Sequence, residues 1–315
     1  MKTEKTNSIY KNTRRFLLCS VIFLVVLCIV VFAGVGRYMS KSSDDTINDL
    51  GALYMSEMSQ QLQEKFDAIV NLQIMQLEGI VQRTPPETAE YGEDMLTDMA
   101  LSSSIRGFTY LALYSKDGQE ELIDGESIKP VDNMEFQEML ANDEKNITSA
   151  TNEKGERLLL LAIPAEYPMK DDKRSFLLIA GMPISYLERT LVMEGKDSMI
   201  YYHIIRRDGS FVIRSSEAYR DNYFTRMREV FSEVNGKKPE QYVEELQSAM
   251  KKRESYSAQI MADGVYQQLY CSALGGTDWY LIAVMPYGVL NDSVTALANV
   301  RQVTMLIACS IILLA

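Results

Sequence analysis

The sequence has one histidine, one tryptophan and four cysteines in 315 residues, and these shortages exclude much chemistry. His203 stands alone between Tyr202 and Ile204 in a stretch that reads as a strand, so several imidazoles cannot converge on one ion. Cys19, Cys28 and Cys309 lie in apolar runs near the ends, leaving only Cys271 between them, and no zinc-type spacing exists. No metal and no other cofactor is expected. The same count excludes a disulfide within the central region, whose roughly 260 residues are enough for a core that holds without cross-links. A Ser-His-Asp arrangement lacks any nucleophile elbow, and Gly34-Val-Gly36 follows an apolar run rather than a strand, so it is no phosphate-cradling loop. No catalytic constellation is left in residues 1–315.

Positive charge is also scarce. Between Arg37 and Arg301, neither counted, stand 25 basic and 42 acidic residues, a formal charge of about −17 that repels nucleic acid and anionic head groups. Nucleic acid is not an expected partner. The basic residues that do cluster, Lys2, Lys5, Lys11, Arg14 and Arg15, precede twenty uncharged residues from Phe16 to Val35, which as a helix span about 30 Å. The expected reading is a transmembrane helix over 16–36 with residues 1–15 cytoplasmic, because short basic flanks stay inside. A cleaved signal peptide is the alternative; Ala33 to Gly36 supplies small residues, but the run exceeds the usual apolar core of about 7–15 residues. Residues 302–315 are again uncharged, and at about 21 Å they fall short of a bilayer; residues 300–315 are expected to begin a second transmembrane helix that the sequence truncates. The alternative is a helical hairpin that ends there. The region from about Arg37 to Val300 is thereby placed outside the plasma membrane.

Within that region, Asp44 to Gln82 shows apolar residues at Ile47, Leu50, Tyr54, Met58, Leu62, Phe66, Ile69, Leu77 and Ile80, the three-and-four spacing of one long helix, ended by Pro85-Pro86. A shorter helix is expected over Thr88–Ser103, then a strand from Phe108 and a turn at Lys116-Asp-Gly. A helix near Met134–Asn142, strands near Ile147–Asn152, Leu158–Ala165 and Phe176–Pro183, and a helix over Ser185–Val192 follow. The order then recurs: a strand over Met199–Arg206, a turn at Arg207-Asp-Gly, a strand over Phe211–Ser215, helices over Tyr223–Val234 and Pro239–Glu254, and strands over Ser257–Met261, Val265–Ala273 and Trp279–Met285. The two Asp-Gly turns are 91 residues apart in matching places, which predicts a duplicated α+β module, each copy with its own core.

The long helix, the paired strand-Asp-Gly-strand units, the segment MEFQEML before a strand, LLLLAIPAEY and the closing GGTDWYLIAVMPYGVL together resemble a double Cache sensor domain over residues 40–296. The closing segment also resembles the ectodomain endings of hybrid sensor histidine kinases from anaerobic Firmicutes. The resemblance implies an α+β fold: a long N-terminal helix along two PAS-like modules with antiparallel sheets, flanked by transmembrane helices. The distal module would cover about 84–193 and the proximal one about 197–288. It also implies a small-molecule ligand, a homodimer, and an output domain in cis on the cytoplasmic side, a histidine kinase or otherwise a diguanylate cyclase or a methyl-accepting chemoreceptor. In that family the ligand sits in the distal module between the sheet and its cover, here about Asp124–Ala141. By position the candidate lining residues are Tyr110, Tyr114, Asp132, Arg157 and Tyr167, although tyrosines placed like Tyr110 and Tyr114 are more often strand core than ligand contacts. The amino-acid-binding subset carries an arginine followed by a tryptophan there; Arg106 has no such tryptophan after it.

Overall fold

The computed structural model describes residues 51–191, 200–214, 221–234 and 236–286, and near the ends only Phe23, Val26, Val30, Gly34 and Val303. Those five positions are helical; the rest of both apolar runs, and the membrane crossings expected of them, lie outside the described residues. Among the described residues no helix is long and apolar enough to cross a membrane.

Helix α1 occupies 51–83. Its buried positions, Met55, Ser59, Phe66, Ile69, Gln73, Leu77 and Ile80, recur at helical spacing and make one continuous stripe. The Thr84 amide closes the last turn on the Ile80 carbonyl (3.0 Å), and Pro85, with no amide proton to give, ends it. α1 meets two sheets in turn. Ser56 pairs with the Tyr270 hydroxyl (3.1 Å), and Gln63 donates to the Ala273 carbonyl (2.8 Å). Farther along, the Gly79 carbonyl accepts from Arg106 (3.3 Å) and the Thr84 carbonyl from Tyr167 (2.5 Å).

The first module comprises α2 (Glu93–Ile105), β1 (Tyr110–Tyr114), β2 (Glu120–Asp124), β3 (Ile128–Pro130), α3 (Asn133–Ala141), β4 (Asn146–Asn152), β5 (Arg157–Pro164), β6 (Leu177–Pro183) and α4 (Ile184–Leu191). The second comprises β7 (Tyr201–Arg206), β8 (Phe211–Ile213), α5 (Tyr223–Val230), β9 (Phe231–Ser232), α6 (Pro239–Lys252), β10 (Tyr256–Ala262), β11 (Val265–Ala273) and β12 (Trp279–Pro286). Both sheets are antiparallel with six strands, and their orders, β2-β1-β6-β5-β4-β3 and β8-β7-β12-β11-β10-β9, are the same order shifted by six. The repeat read from the two Asp-Gly turns is therefore a repeat of topology. At the second turn Gly209 sits at φ +86°, and a Cβ there would stand 2.5 Å from the Phe224 ring. Only glycine fits that position.

β2 is the second strand of the unit expected at the Lys116-Asp-Gly turn, while two other short strands, β3 and β9, were not predicted. β2 is EELID, half-exposed at the sheet edge, and it is a strand because it pairs with β1, not because of any pattern of its own. β3 lies in the expected cover and pairs with β4. The helix predicted over Tyr223–Val234 stops at Val230, since Phe231 and Ser232 leave it to pair with Ala262 and Met261. Pairing outweighs helix propensity there.

β1, β5 and β6 of the first sheet are apolar on both faces, whereas β4 (NITSATN) is largely polar. β12, between β7 and β11, is buried from Trp279 to Met285. One cluster under α1, α2 and α4 joins Leu159, Leu161 and Leu178 of the first module to Ile204, Val212, Trp279 and Leu281 of the second. Trp279 meets Phe66 of α1 edge-on, with ring centroids 6.3 Å apart. The two modules share this core, where the sequence predicted separate ones. Each keeps a further cluster on its opposite face.

His203 on β7 is 4% exposed and lies 5.4 Å from the Phe211 ring and 5.7 Å from that of Tyr223. Burial, helped by Arg226 and Arg214, lowers its imidazole from 6.5 to about 3. The ring is neutral when folded and basic when unfolded. The stability it supports above the unfolded value is therefore lost as pH falls from about 6.5 towards about 3, by up to ~5 kcal/mol. His203→Phe keeps a ring and should flatten this slope in urea unfolding between neutral and mildly acidic pH; an unchanged slope would assign the acid sensitivity to other groups.

Candidate functional site

Alternation along β1 sends Tyr110, Ala112 and Tyr114 to one face of the first sheet and Leu111 and Leu113 to the other. The first face continues through Leu158, Leu160 and Ala162 of β5 and Leu177 and Ile179 of β6, and Phe136 and Met139 of α3 cover it. Small residues leave room for the rings: a Cβ on Gly181 would come within 3.0 Å of Tyr110 Cβ. The Tyr110 and Tyr114 hydroxyls are 2.8 Å apart, and Tyr110 donates to Glu120 Oε1 at 2.8 Å, so Tyr114 is the donor between them. Burial raises both phenols well above their ordinary value, which keeps them neutral donors. The Tyr114 ring meets Phe136 edge-on, with centroids 5.8 Å apart.

Asp132 caps α3, its side chain accepting from the amides of Met134 (2.8 Å) and Glu135 (3.2 Å). It fixes where the cover helix begins. Two of the predicted residues lie elsewhere. Arg157, at the start of β5, donates to the Phe211 carbonyl (3.1 Å) and to the Val212 carbonyl, both on β8 of the second module. Tyr167 sits in the cluster on the α1 side and donates to the Thr84 carbonyl. Arg106 is also away from the tyrosines, its guanidinium held by the Ser102 (3.0 Å) and Gly79 carbonyls. The structure thus brings together Tyr110 and Tyr114, with Asp132 at the edge of their cover.

Sequence reasoning missed the polar group that anchors this cover. Glu135 of α3 accepts from the Thr148 hydroxyl (3.0 Å) and faces Arg206 Nε (3.5 Å), which belongs to β7. Arg206 is 3% exposed and also donates to Ser149 Oγ on β4 and to Ser210 Oγ (3.3 Å). Burial pushes the Glu135 carboxyl above the usual carboxylate range, while the Arg206 guanidinium, then the Thr148 hydroxyl and the Trp279 indole pull it back. One carboxylate on the cover helix is thus read by β7 and by the first residue of β12. No local pattern marks it: in MEFQEML it is an ordinary exposed-face glutamate.

Removing one member of a buried ion pair leaves the other without its countercharge, which costs about 3–5 kcal/mol, whereas replacing both by apolar groups costs far less. Arg206→Met should lose about that much in urea unfolding, and Arg206→Met with Glu135→Leu should recover most of it. Additive losses in the double-mutant cycle would show that the two side chains do not act as a pair.

No family model and no curated protein sequence matches the chain. Solved structures do. The chain is similar to the ligand-binding domain of the Pseudomonas aeruginosa amino acid chemoreceptor PctB in complex with L-Arg, at 15% identity and a TM-score of 0.52, over 76% of this chain and 95% of that one. It is similar to the sensory domain of the Campylobacter jejuni chemoreceptor Tlp3 with isoleucine bound, at 8% identity and a TM-score of 0.51, over 79% and 98%. It is also similar to the ligand-binding domain of the Pseudomonas fluorescens chemoreceptor CtaA in complex with L-alanine, at 12% identity and a TM-score of 0.50, over 74% and 96%. At these identities the likeness concerns the fold. The fold is the one that the double Cache resemblance implied, an α+β arrangement of one long helix along two PAS-like antiparallel sheets.

Proposed function

We propose that the chain is the extracytoplasmic, small-ligand-sensing part of a transmembrane signal-transduction receptor in the plasma membrane, with its N-terminus cytoplasmic. The observation that carries this reading is the arrangement of α3: it closes the tyrosine face of the first sheet and is tied by Glu135 to the second module. A ligand entering between Tyr114 and Phe136 must displace α3, and α3 cannot move without disturbing Arg206 and the start of β12. Binding and relay then share one element, so a ligand that favours one position of α3 biases the strand that leads out of the second module. The ligand is a small polar molecule able to meet two buried phenol hydroxyls and Glu120. The amino acids named with the similar chemoreceptor domains are the first compounds to try.

For the output in cis, the resemblance of the closing segment favours a sensor histidine kinase, working as a homodimer. A chemoreceptor is the second reading, favoured by the solved structures just described. The ectodomain is common to both.

Two measurements test the proposal. A reporter enzyme active only outside the cytoplasm, fused at Gly155, should be active; activity only in a cytoplasmic reporter at that point would overturn the topology. In thermal melts of the full chain in lipid nanodiscs, at least one compound from a panel of free amino acids and small organic acids should raise the melting temperature. Tyr114→Phe should abolish that rise while changing the stability of the free protein by no more than about 1 kcal/mol, since Tyr110 keeps Glu120 as its acceptor. A rise that survives Tyr114→Phe, Tyr110→Phe and Phe136→Ala alike would place the ligand elsewhere.

A further inference from the structure

On the other side of the first module, α1, the end of α2 and the start of α4 enclose an open groove of about 520 Å³. The chain carries 43 acidic residues against 32 basic ones, yet no carboxylate lines this groove and two guanidinium groups do. Arg106 is held in place by the Ser102 and Gly79 carbonyls, which fixes its guanidinium at the groove wall. Arg83 is exposed and makes no hydrogen bond or ion pair among the described residues. Gln73, earlier on α1 and only 8% exposed, also lines the groove, and its amide has no hydrogen-bond partner among the described residues. Its amide is reached by solvent and is free to bond to a ligand in the groove. The remaining wall is apolar and open, with Leu72 48% exposed and Ile105 68% exposed, and the Tyr186 ring closes one side.

We propose that this groove binds a small organic carboxylate with an aromatic or short apolar tail. The carboxylate lies between Arg83 and Arg106, whose planar forks match its two oxygens, and takes a further hydrogen bond from the Gln73 amide. The tail covers Leu72 and Ile105 and stacks beside Tyr186. The groove falls within the range of about 300–1,000 Å³ usual for small-molecule sites. Its apolar wall distinguishes it from a site for an inorganic anion. It lies across the sheet from the tyrosine face, so it neither needs nor excludes a ligand there.

The test uses fluorobenzoate as probe, observed by fluorine NMR with the full chain in lipid nanodiscs and with empty nanodiscs as the blank. The chain should broaden the resonance well beyond the blank. Arg83→Gln should weaken binding about tenfold or more, Arg83→Lys should restore part of it, and Gln73→Leu should weaken it while leaving the melting temperature close to that of the parent. Tyr114→Phe should leave the probe's binding unchanged. Broadening no greater than the blank overturns the proposal, as does equal displacement by inorganic phosphate and by benzoate, or loss of binding in Tyr114→Phe with retention in Arg83→Gln. A dimer in sedimentation that Ile105→Glu breaks, with no probe binding by the parent, assigns the groove to a second copy of the chain and overturns it too.

Discussion

The central strands, β1, β5 and β6 of the first sheet and β12 of the second, are apolar at nearly every position, odd and even alike, and such strands are stable in water only if both of their faces are covered. α1 supplies one cover to both sheets at once. Its first half lies on the second sheet, where Phe66 meets Trp279, and its second half on the first, where Ile74, Leu77 and Ile80 join Leu159 and Leu161. The two modules are duplicates in topology but not independent bodies, since each leaves to α1 a face it cannot bury by itself. The opposite faces are covered locally, by α3 in the first module and by α5 and α6 in the second. Only the first module closes a face with a single short helix, and the proposed ligand site rests on that asymmetry.

Much of this was legible in the sequence because it follows from period. The stripe in α1 and the buried strands β1, β5, β6 and β12 announce themselves by spacing and by length, and the Asp-Gly turns announce the repeat. Period also placed Tyr110 and Tyr114 on a common face. What escaped was set by pairing across the chain. β3 and β9 have sequences that favour nothing in particular and become strands because a neighbour offers a ladder edge. Arg157 was grouped with the tyrosines because it begins a neighbouring strand, but at the end of β5 its long side chain reaches β8 instead. Tyr167 follows β5 beyond the sheet and turns to the end of α1. A strand's alternation says which face a residue takes; it does not say which module stands beside its end.

The Glu135–Arg206 pair illustrates the same limit and shows why it matters. As a contribution to folding, a buried ion pair is close to neutral, because desolvating two charges offsets most of their attraction. As a link it is strong, because separating the partners strands one charge in a nearly dry place. The burial that raises the Glu135 carboxyl is the measure of that tension, and Arg206 is what keeps it tolerable. Coupling between a ligand site and a distant element typically amounts to about 1–3 kcal/mol. Breaking such a pair involves about 3–5 kcal/mol. A displacement of α3 that loosened the pair without breaking it would already be enough to shift a two-state equilibrium in the second module. The Thr148 and Ser149 hydroxyls, one on each partner, narrow the geometries in which both charges are satisfied. The arrangement thus favours a small number of discrete positions for α3 over a continuous drift, which is what the proposed relay to β12 would require.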